Sequence, residues 1–409
     1  ARGRLAAIAI FRYRNFRLYM AGHGLSLVGL WLHRVAVGWL AWDLTGSGTW
    51  LGVIAMVDLA PAVVLGPIAG ALADRFDRRR LAQLFQIVAM IQAVLLAALS
   101  FAGVLDIWLL AALTLALGVN QSFWQPARLA LVPSLVPRAD LATAIAVNAV
   151  VFNVARFLGP AAAGAIIVWA GVGWAFLANA VSYLAFIYAL AVLSLPPPAT
   201  ADRRHGIFAD VVQGIRYALR HPGISPLLLL LAAFAVLVRP VVELLPGFAE
   251  AVFARGAGGL AIMTSTMGAG ALVAGLWLAR RGGGDLMGLV ATAGSVGALV
   301  LFAFAATSWF AFALACLAVA AFCQTCMGVG GQTLLQSAID DVMRGRVLSF
   351  YGMIFRGGPA LGAVAMGTAS EVTGLQVPVA LGALIGVAAC ALAYRRRHAL
   401  ALALAPPSP

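Results

Sequence analysis

Twelve apolar runs, each near the 20 residues that cross a bilayer as a helix, follow one another along the chain. They cover residues 18–42, 50–73, 81–103, 108–129, 141–169, 174–195, 227–253, 260–279, 286–306, 309–335, 347–369 and 377–394. Of the 409 residues, 63% are hydrophobic and 10% charged, too few polar groups to cover a water-soluble body of this size. In lipid every backbone N–H and C=O must be satisfied within the protein, which leaves helices or a closed barrel. The runs are too long for barrel strands and lack their alternation, so the reading is an all-α membrane protein of twelve transmembrane helices.

The net charge of +13 comes from 27 cations, all arginine, against 14 acids. A basic chain can signal nucleic-acid binding, but these arginines cluster in short loops at span ends, the pattern that orients a membrane protein. Twenty-two of the 27 fall on one side of a twelve-span layout and only Arg255 on the other. By the positive-inside rule both termini are expected in the cytoplasm, with no nucleic-acid partner. Residues 2–17 read as a basic amphipathic lead-in without a cleavage site. The four cysteines lie inside apolar runs, and Cys323-x-x-Cys326 has no second pair or histidine cluster, so they read as packing residues. No metal or cofactor is called for.

The chain repeats itself. Arg34-Val-Ala-Val matches Arg239-Pro-Val-Val, and Gly70-Ala-Leu-Ala-Asp74-Arg75 matches Gly275-Leu-Trp-Leu-Ala279-Arg280, both 205 residues on. At 200 residues Asp140 matches Asp340, and Arg156-Phe-Leu-Gly159-Pro160 matches Arg356-Gly-Gly358-Pro359 with a one-residue slip. The expected organisation is a six-helix bundle over residues 1–195, a cytoplasmic central loop at 196–222, a second, pseudo-symmetric bundle at 223–398 and a flexible tail at 399–409. Such repeats build a cavity between the halves near the bilayer midplane.

These features resemble the major facilitator superfamily of secondary transporters across nearly the whole chain. Gly70, Leu72, Asp74, Arg75, Arg78 and Arg79 match that superfamily's G-x-L-A-D-R-x-G-R-R loop, with Asp77 at its second glycine. Phe11-Arg-Tyr-Arg-Asn-Phe-Arg17 and Pro126-Ala-Arg-Leu-Ala-Leu-Val-Pro133-Ser-Leu-Val-Pro137 are similar to the branch containing the enterobactin exporter and macrolide-efflux proteins. Gly159-Pro160-Ala-Ala-Ala-Gly164 is similar to the antiporter motif of drug/proton exporters. The resemblance implies alternating access, with Gly70, Asp74, Arg75, Arg78 and Arg79 forming a cytoplasmic gate. In the second copy Ala279 replaces Asp74, so the latch is expected to be one-sided.

Arg34, Arg156, Arg239 and Arg356 lie within spans, where charge is costly and usually functional. Arg34 and Asp58 are expected at equal depth, roughly 12–14 Å below the outer surface at 1.5 Å per residue, as either a structural or a coupling pair. Arg239 and Glu243, four apart, are expected on one helix face, with Pro240 a possible kink. Glu243 is the first candidate for a proton-carrying carboxylate and Asp58 the second. His23 shares a face with Arg34, and His33 reads as a packed hydrogen-bonder. Arg156 and Arg356 are equivalent positions, suited either to structural pairing or to an anionic substrate. Asn120, Gln121, Trp124, Gln125, Gln324, Thr325, Gln332 and Gln336, with Trp31, Trp39, Phe123 and Phe152, would line an amphiphilic cavity.

The expectation is a monomeric transporter of a bacterial inner membrane, surrounded by lipid, exporting an amphipathic siderophore-like or drug-like molecule against protons. Lipid or lysolipid translocation and a non-transporting receptor are the alternatives. No catalytic triad, phosphate loop or metal cluster suggests an enzyme.

Overall fold

The computed structural model describes residues 9–75, 77–194, 207–281 and 284–404, and among these there is no strand. Among the described residues twelve helical spans are long and apolar enough to cross a membrane. The first half comprises α1 (Arg14–Thr45), α2 (Gly48–Arg75), α3 (Arg78–Phe101), α4 (Ile107–Leu131), α5 (Leu141–Ala170) and α6 (Val172–Val192). The amphipathic α7 (Ile207–Arg220) follows. The seventh span, Ile224–Val252, is broken into α8 (Ile224–Leu237), α9 (Val241–Gly247) and a π-helical turn, Phe248–Val252. Then come α10 (Gly256–Arg281), α11 (Leu286–Ala305), α12 (Phe310–Ala338), α13 (Asp341–Thr373), α14 (Gln376–Arg395) and the short α15 (Arg397–Ala403).

Local chemistry sets the ends of these elements. Gly46 takes φ 61° to stop α1, a left-handed conformation that costs glycine little. Asp77, Asp106 and Asp285 cap α3, α4 and α11 by accepting backbone N–H bonds. Asp77 accepts from the Arg79 and Arg80 amides at 2.8 and 3.2 Å, which gives the aspartate at the loop's second glycine position a capping task.

Two readings at the edges of the bundles change. Part of the stretch read as central loop is the helix α7, pinned by the Tyr217 hydroxyl donating to Asp340 at 3.0 Å and by Arg346 donating to Gln213 at 2.7 Å. The stretch read as a flexible tail begins with α15, and Leu404 after it is 3% exposed because it seats beside Gly223 at the start of the seventh span. Burying leucine offsets the entropy of ordering this segment.

Within each half, α1 packs on α6, α2 on α4 and α3 on α6, while α11 packs on α12 and α14. Two seams join the halves: α2 against α13, and α5 against α10. Both are closed by small residues, which let helices approach without bulky side chains. A Cβ on Gly52 would lie 2.6 Å from the Ala363 carbonyl, and one on Gly268 would lie 2.8 Å from the Arg156 carbonyl. Ser265 also donates to the Phe157 carbonyl at 3.2 Å.

Each seam opens toward the arginine-rich end. Gly66 is about five turns beyond Gly48 on the same face of α2, and Gly275 about two turns beyond Gly268 on α10. A Cβ on Gly48 or Gly268 would strike the opposite half, whereas at Gly66 and Gly275 it would meet nothing within 4 Å. At the arginine-poor end Glu371 accepts from the Ser47 hydroxyl at 2.6 Å and the Thr49 amide at 3.0 Å. Gly38 faces Pro246, and Gly247 sits under the Trp42 indole. The halves therefore meet at one end and part at the other.

Candidate functional site

Between the halves lie two cavities of about 160 and 90 Å³ that share Arg34, Gly38 and Glu243 in their walls. The larger is lined by α1, α2, α4, α9 and α13, including His33, Asp58, Thr114, Gln121, Gln125 and Arg356. The smaller adds Trp31, Arg156, Pro160, Thr264 and Met267. Together they form one two-lobed space.

Arg34 and Asp58 meet at 2.6 Å, a charge-assisted bond between neighbouring helices of the same half. Both groups stay partly open to the cavity, with side chains 36% and 21% exposed. Glu243 lies between the lobes, and among the described residues no hydrogen bond or ion pair reaches its carboxylate. It enters from the C-terminal half, so the two carboxylates in the walls belong to opposite halves.

Arg239 is not Glu243's neighbour on a continuous helix face. The α8 ladder ends at Val238, whose amide bonds to Phe234, and the chain restarts at Val241 after Pro240. Proline supplies no N–H for the ladder, so the helix breaks there. Arg239 instead donates to the Phe355 carbonyl at 2.7 Å and lies 3.9 Å from the centroid of the Phe355 ring, tying the break to α13.

Arg156 and Arg356, equivalent in the repeat, each face one lobe. Arg356 donates to the Gln125 side chain across the halves, a neutral partner that leaves its charge unmatched. Arg156 lies over Trp31, 5.4 Å from the ring centroid, and Arg34 is 5.7 Å from the same ring. The indole thus holds two cations by its π face, with Phe152 edge-on against it.

Several expected residues lie elsewhere. His23 is not in this charge network: its ring is buried against Tyr19 and Phe186, with Arg128 3.2 Å from its Nε2. It shares a face with Arg34 but sits about 16 Å nearer the arginine-rich end, since each helical residue rises about 1.5 Å. Trp124 is 5% exposed and packs edge-on to Phe186 in the N-terminal core, because it points away from the face carrying Gln121 and Gln125. Gln324 and Gln332 line neither lobe; the Gln324 amide nitrogen is buried without a partner and Gln332 is exposed. Trp31, Gln121 and Gln125 line the site.

In the gate loop, Arg79 donates to the Ala191 and Leu193 carbonyls at 3.3 and 2.9 Å, bracing the end of α6 in its own half. The surroundings of Gly70 and the side chains of Asp74 and Arg75 lie outside what is described, and Arg78 has a partner of its own. Sequence reasoning passed over Thr114 and Thr264 in the lobes and the Ser47–Glu371 link between the halves. Thr114 and Thr264 were legible only as hydroxyls inside apolar spans. Among the described residues no group of three His, Cys, Asp or Glu side chains could hold a metal.

Comparison with known proteins agrees with this architecture. The family described as transmembrane secretion effector matches residues 5–404. The chain is 27% identical over 360 residues to the enterobactin exporter of Shigella boydii, covering 86% of this chain and 84% of that one. It is 28% identical over 210 residues to the transporter YfiS of Bacillus subtilis, and 25% identical over 180 residues to the staphyloferrin A transporter of Staphylococcus aureus. Those two matches span only 49% and 45% of the relatives' lengths. Among solved structures, a bacterial homologue of the lysosomal transporter Spinster, inward-facing and unoccupied, aligns at TM-score 0.69 and 14% identity over 97% of this chain and 99% of that one. An inward-facing bacterial homologue of ferroportin aligns at TM-score 0.67 and 17% identity over 95% and 98%. With the family match running through both bundles and twelve spans folded as in these transporters, the chain belongs to the transmembrane secretion effector family of the major facilitator superfamily.

Proposed function

We propose that this multi-pass transporter exports an acidic, amphipathic small molecule of siderophore type across a bacterial inner membrane, in exchange for protons. One observation carries the reading. Three guanidinium groups, Arg34, Arg156 and Arg356, stand in the cavity walls, and only Arg34 is matched by a carboxylate. An acidic substrate would supply the missing negative charge, and Trp31, Leu59, Met267 and the other apolar walls suit its hydrophobic body. The named activities of the enterobactin and staphyloferrin A relatives support the same class.

Asp58 and Glu243 are the groups that would carry protons. A protonated Asp58 no longer holds Arg34, which then stands beside Glu243 and the other half, so proton occupancy changes the contacts between the two bodies. With the arginine-rich end cytoplasmic, both termini are cytoplasmic and the cavity opens inward. The molecule works as a monomer in lipid, with residues 1–195 and 223–398 as the rocking bodies.

The test is uptake of enterobactin into everted membrane vesicles under an imposed pH gradient. Accumulation that disappears in Asp58→Asn and Glu243→Gln, and in Arg156→Gln together with Arg356→Gln, is the expected result. Gradient-driven accumulation unchanged in both carboxamide variants would overturn proton coupling. No accumulation by the unaltered protein would overturn the assignment to a molecule of enterobactin's kind.

A further inference from the structure

The N-terminal half buries more polarity than its own packing satisfies. Among the described residues, every buried side-chain N or O atom without a partner belongs to that half, apart from the Gln324 amide nitrogen. Several of these atoms form a seam. On α1, Gly29 and His33 are one turn apart on the face that meets α6, where Phe176, Asn179 and Tyr183 succeed one another at helical spacing. A Cβ on Gly29 would lie 2.6 Å from the Asn179 Oδ1, so the absent side chain brings the backbone onto the carboxamide. His33 rests on the Phe176 ring, 5.4 Å between centroids. Across α4, Gln92 of α3 donates to the Leu113 carbonyl at 3.1 Å, next to Thr114.

Four atoms here lack partners, both His33 ring nitrogens, Thr114 Oγ1 and Gln92 Oε1, while the Asn179 amide nitrogen and the Tyr183 hydroxyl have only each other. His33 is 1% exposed and Thr114 3%, yet both contribute to the wall of the larger lobe beside Asp58. An unsatisfied buried polar atom is costly, so several in one place would weigh heavily on the fold. Something polar must meet them. The set mixes donors and acceptors and, apart from the imidazole and phenol, cannot ionise. A metal ion would need converging anionic or carbonyl oxygens, and an anion would need converging donors. Water donates and accepts alike and suits the set.

The charged groups acting on His33 are Asp58 from α2 and Arg34 from its own helix. Glu243 from α9 and Arg356 from α13 face it across the lobe. The seam residues that α3, α4 and α6 present, Gln92, Thr114, Asn179 and Tyr183, add the Tyr183 phenol but no carboxylate or cation.

We propose that ordered water fills this seam and that His33 relays protons between it and Asp58, forming a proton branch separate from the lobe lined by Trp31 and Arg156. In each transfer an N–H bond of the imidazolium breaks, a bridging water passes the proton, and an O–H bond forms on the Asp58 carboxylate. The ring is left neutral and Arg34 is released from its counter-ion. The relay rests on the role given to Asp58 above; the hydration of the seam does not.

Both parts can be tested on the full chain in lipid nanodiscs without a substrate. In X-ray hydroxyl-radical footprinting, His33 and Tyr183 should be oxidised severalfold faster than Phe248 and Phe304, which are equally buried in the C-terminal half. Equal rates would mean a dry seam and overturn the hydration. In 15N-histidine spectra, assigned by the signal lost in His33→Gln, the His33 ring should pass from its neutral to its protonated form as pH is lowered, with a midpoint that moves in Asp58→Asn. A His33 signal that stays one neutral tautomer throughout, or is unmoved by Asp58→Asn, would overturn the relay while leaving the transporter reading intact. Conversely, vesicle uptake indifferent to Asp58 would remove proton coupling while leaving a wet seam in place.

Discussion

Adding a single methyl group at Gly52 should shift the conformational equilibrium of the transporter. In the structure the Cβ of Gly52→Ala would lie 2.6 Å from the Ala363 carbonyl oxygen and from the Val364 Cα, where ordinary contact begins at 3.4 Å. The obstacle is backbone, which cannot rotate away, so α2 and α13 must separate by about 0.8 Å at this level. Overpacking of this kind costs about 1–3 kcal/mol. The gain in helix propensity from glycine to alanine is present in both conformations and cancels. The penalty falls only on the state with the arginine-poor end closed, and 1–3 kcal/mol is about a 5- to 150-fold population change. Spin labels at Leu44→Cys and Val372→Cys, exposed sites near that end of α1 and α13, report the change by pulsed electron resonance in nanodiscs. The four native cysteines are buried and compete little for the label. The expected result is growth of a longer-distance population. An unchanged distance distribution in a variant that melts like the parent would refute the argument that small residues hold this seam.

Three further outcomes follow from the same contacts. Glu371→Gln weakens the bonds to Ser47 and Thr49 across that end, by about 0.5–1.5 kcal/mol, and should move the same label pair in the same direction. Asp58→Ala strands the Arg34 charge and should lower thermal stability by less than the about 3–5 kcal/mol of a fully buried pair, because both side chains are partly exposed, whereas Arg34→Met with Asp58→Leu should recover most of it; equal loss in both would refute the pairing. Burial, then the hydrogen bond to Asp340, holds the Tyr217 phenol above its usual range. Its contribution to docking α7 is therefore complete at neutral pH and lost only as pH rises through that elevated value. Tyr217→Phe should raise amide exchange across α7 at neutral pH, and exchange identical to the parent would refute the anchor.

Tyr217 also shows how far the duplication reaches. Its counterpart near the N-terminus is Tyr13, whose hydroxyl donates to Asp140 at 2.7 Å, as Tyr217 does to Asp340. The Asp140–Asp340 match was legible in the sequence, but its use was not, because a single tyrosine carries no statistical signal and its partner is 127 residues away in one copy and 123 in the other.

The sequence alone determined the solvent, the number of spans and the duplication, because lipid leaves an unbroken run of about 20 apolar residues only one way to satisfy its backbone. It also singled out Arg34, Asp58, Glu243, Arg156 and Arg356 as ions inside spans, too costly to be incidental, and these stand in the cavity walls. Partners were a different matter. Depth along two helices made Arg34 and Asp58 a reasonable pair, but whether Glu243 met Arg239 depended on how the chain turned at Pro240. His23 shares a face with Arg34 but lies too far along α1, whereas Trp124, Gln324 and Gln332 were polar or aromatic groups in the right spans that the rotation of each helix turned away from the lobes. Helical spacing fixes which residues share a face; packing against every other helix fixes where that face points. The tertiary structure thereby placed His33, read as a packed ring, in a cavity wall beside Asp58 with both nitrogens unpaired.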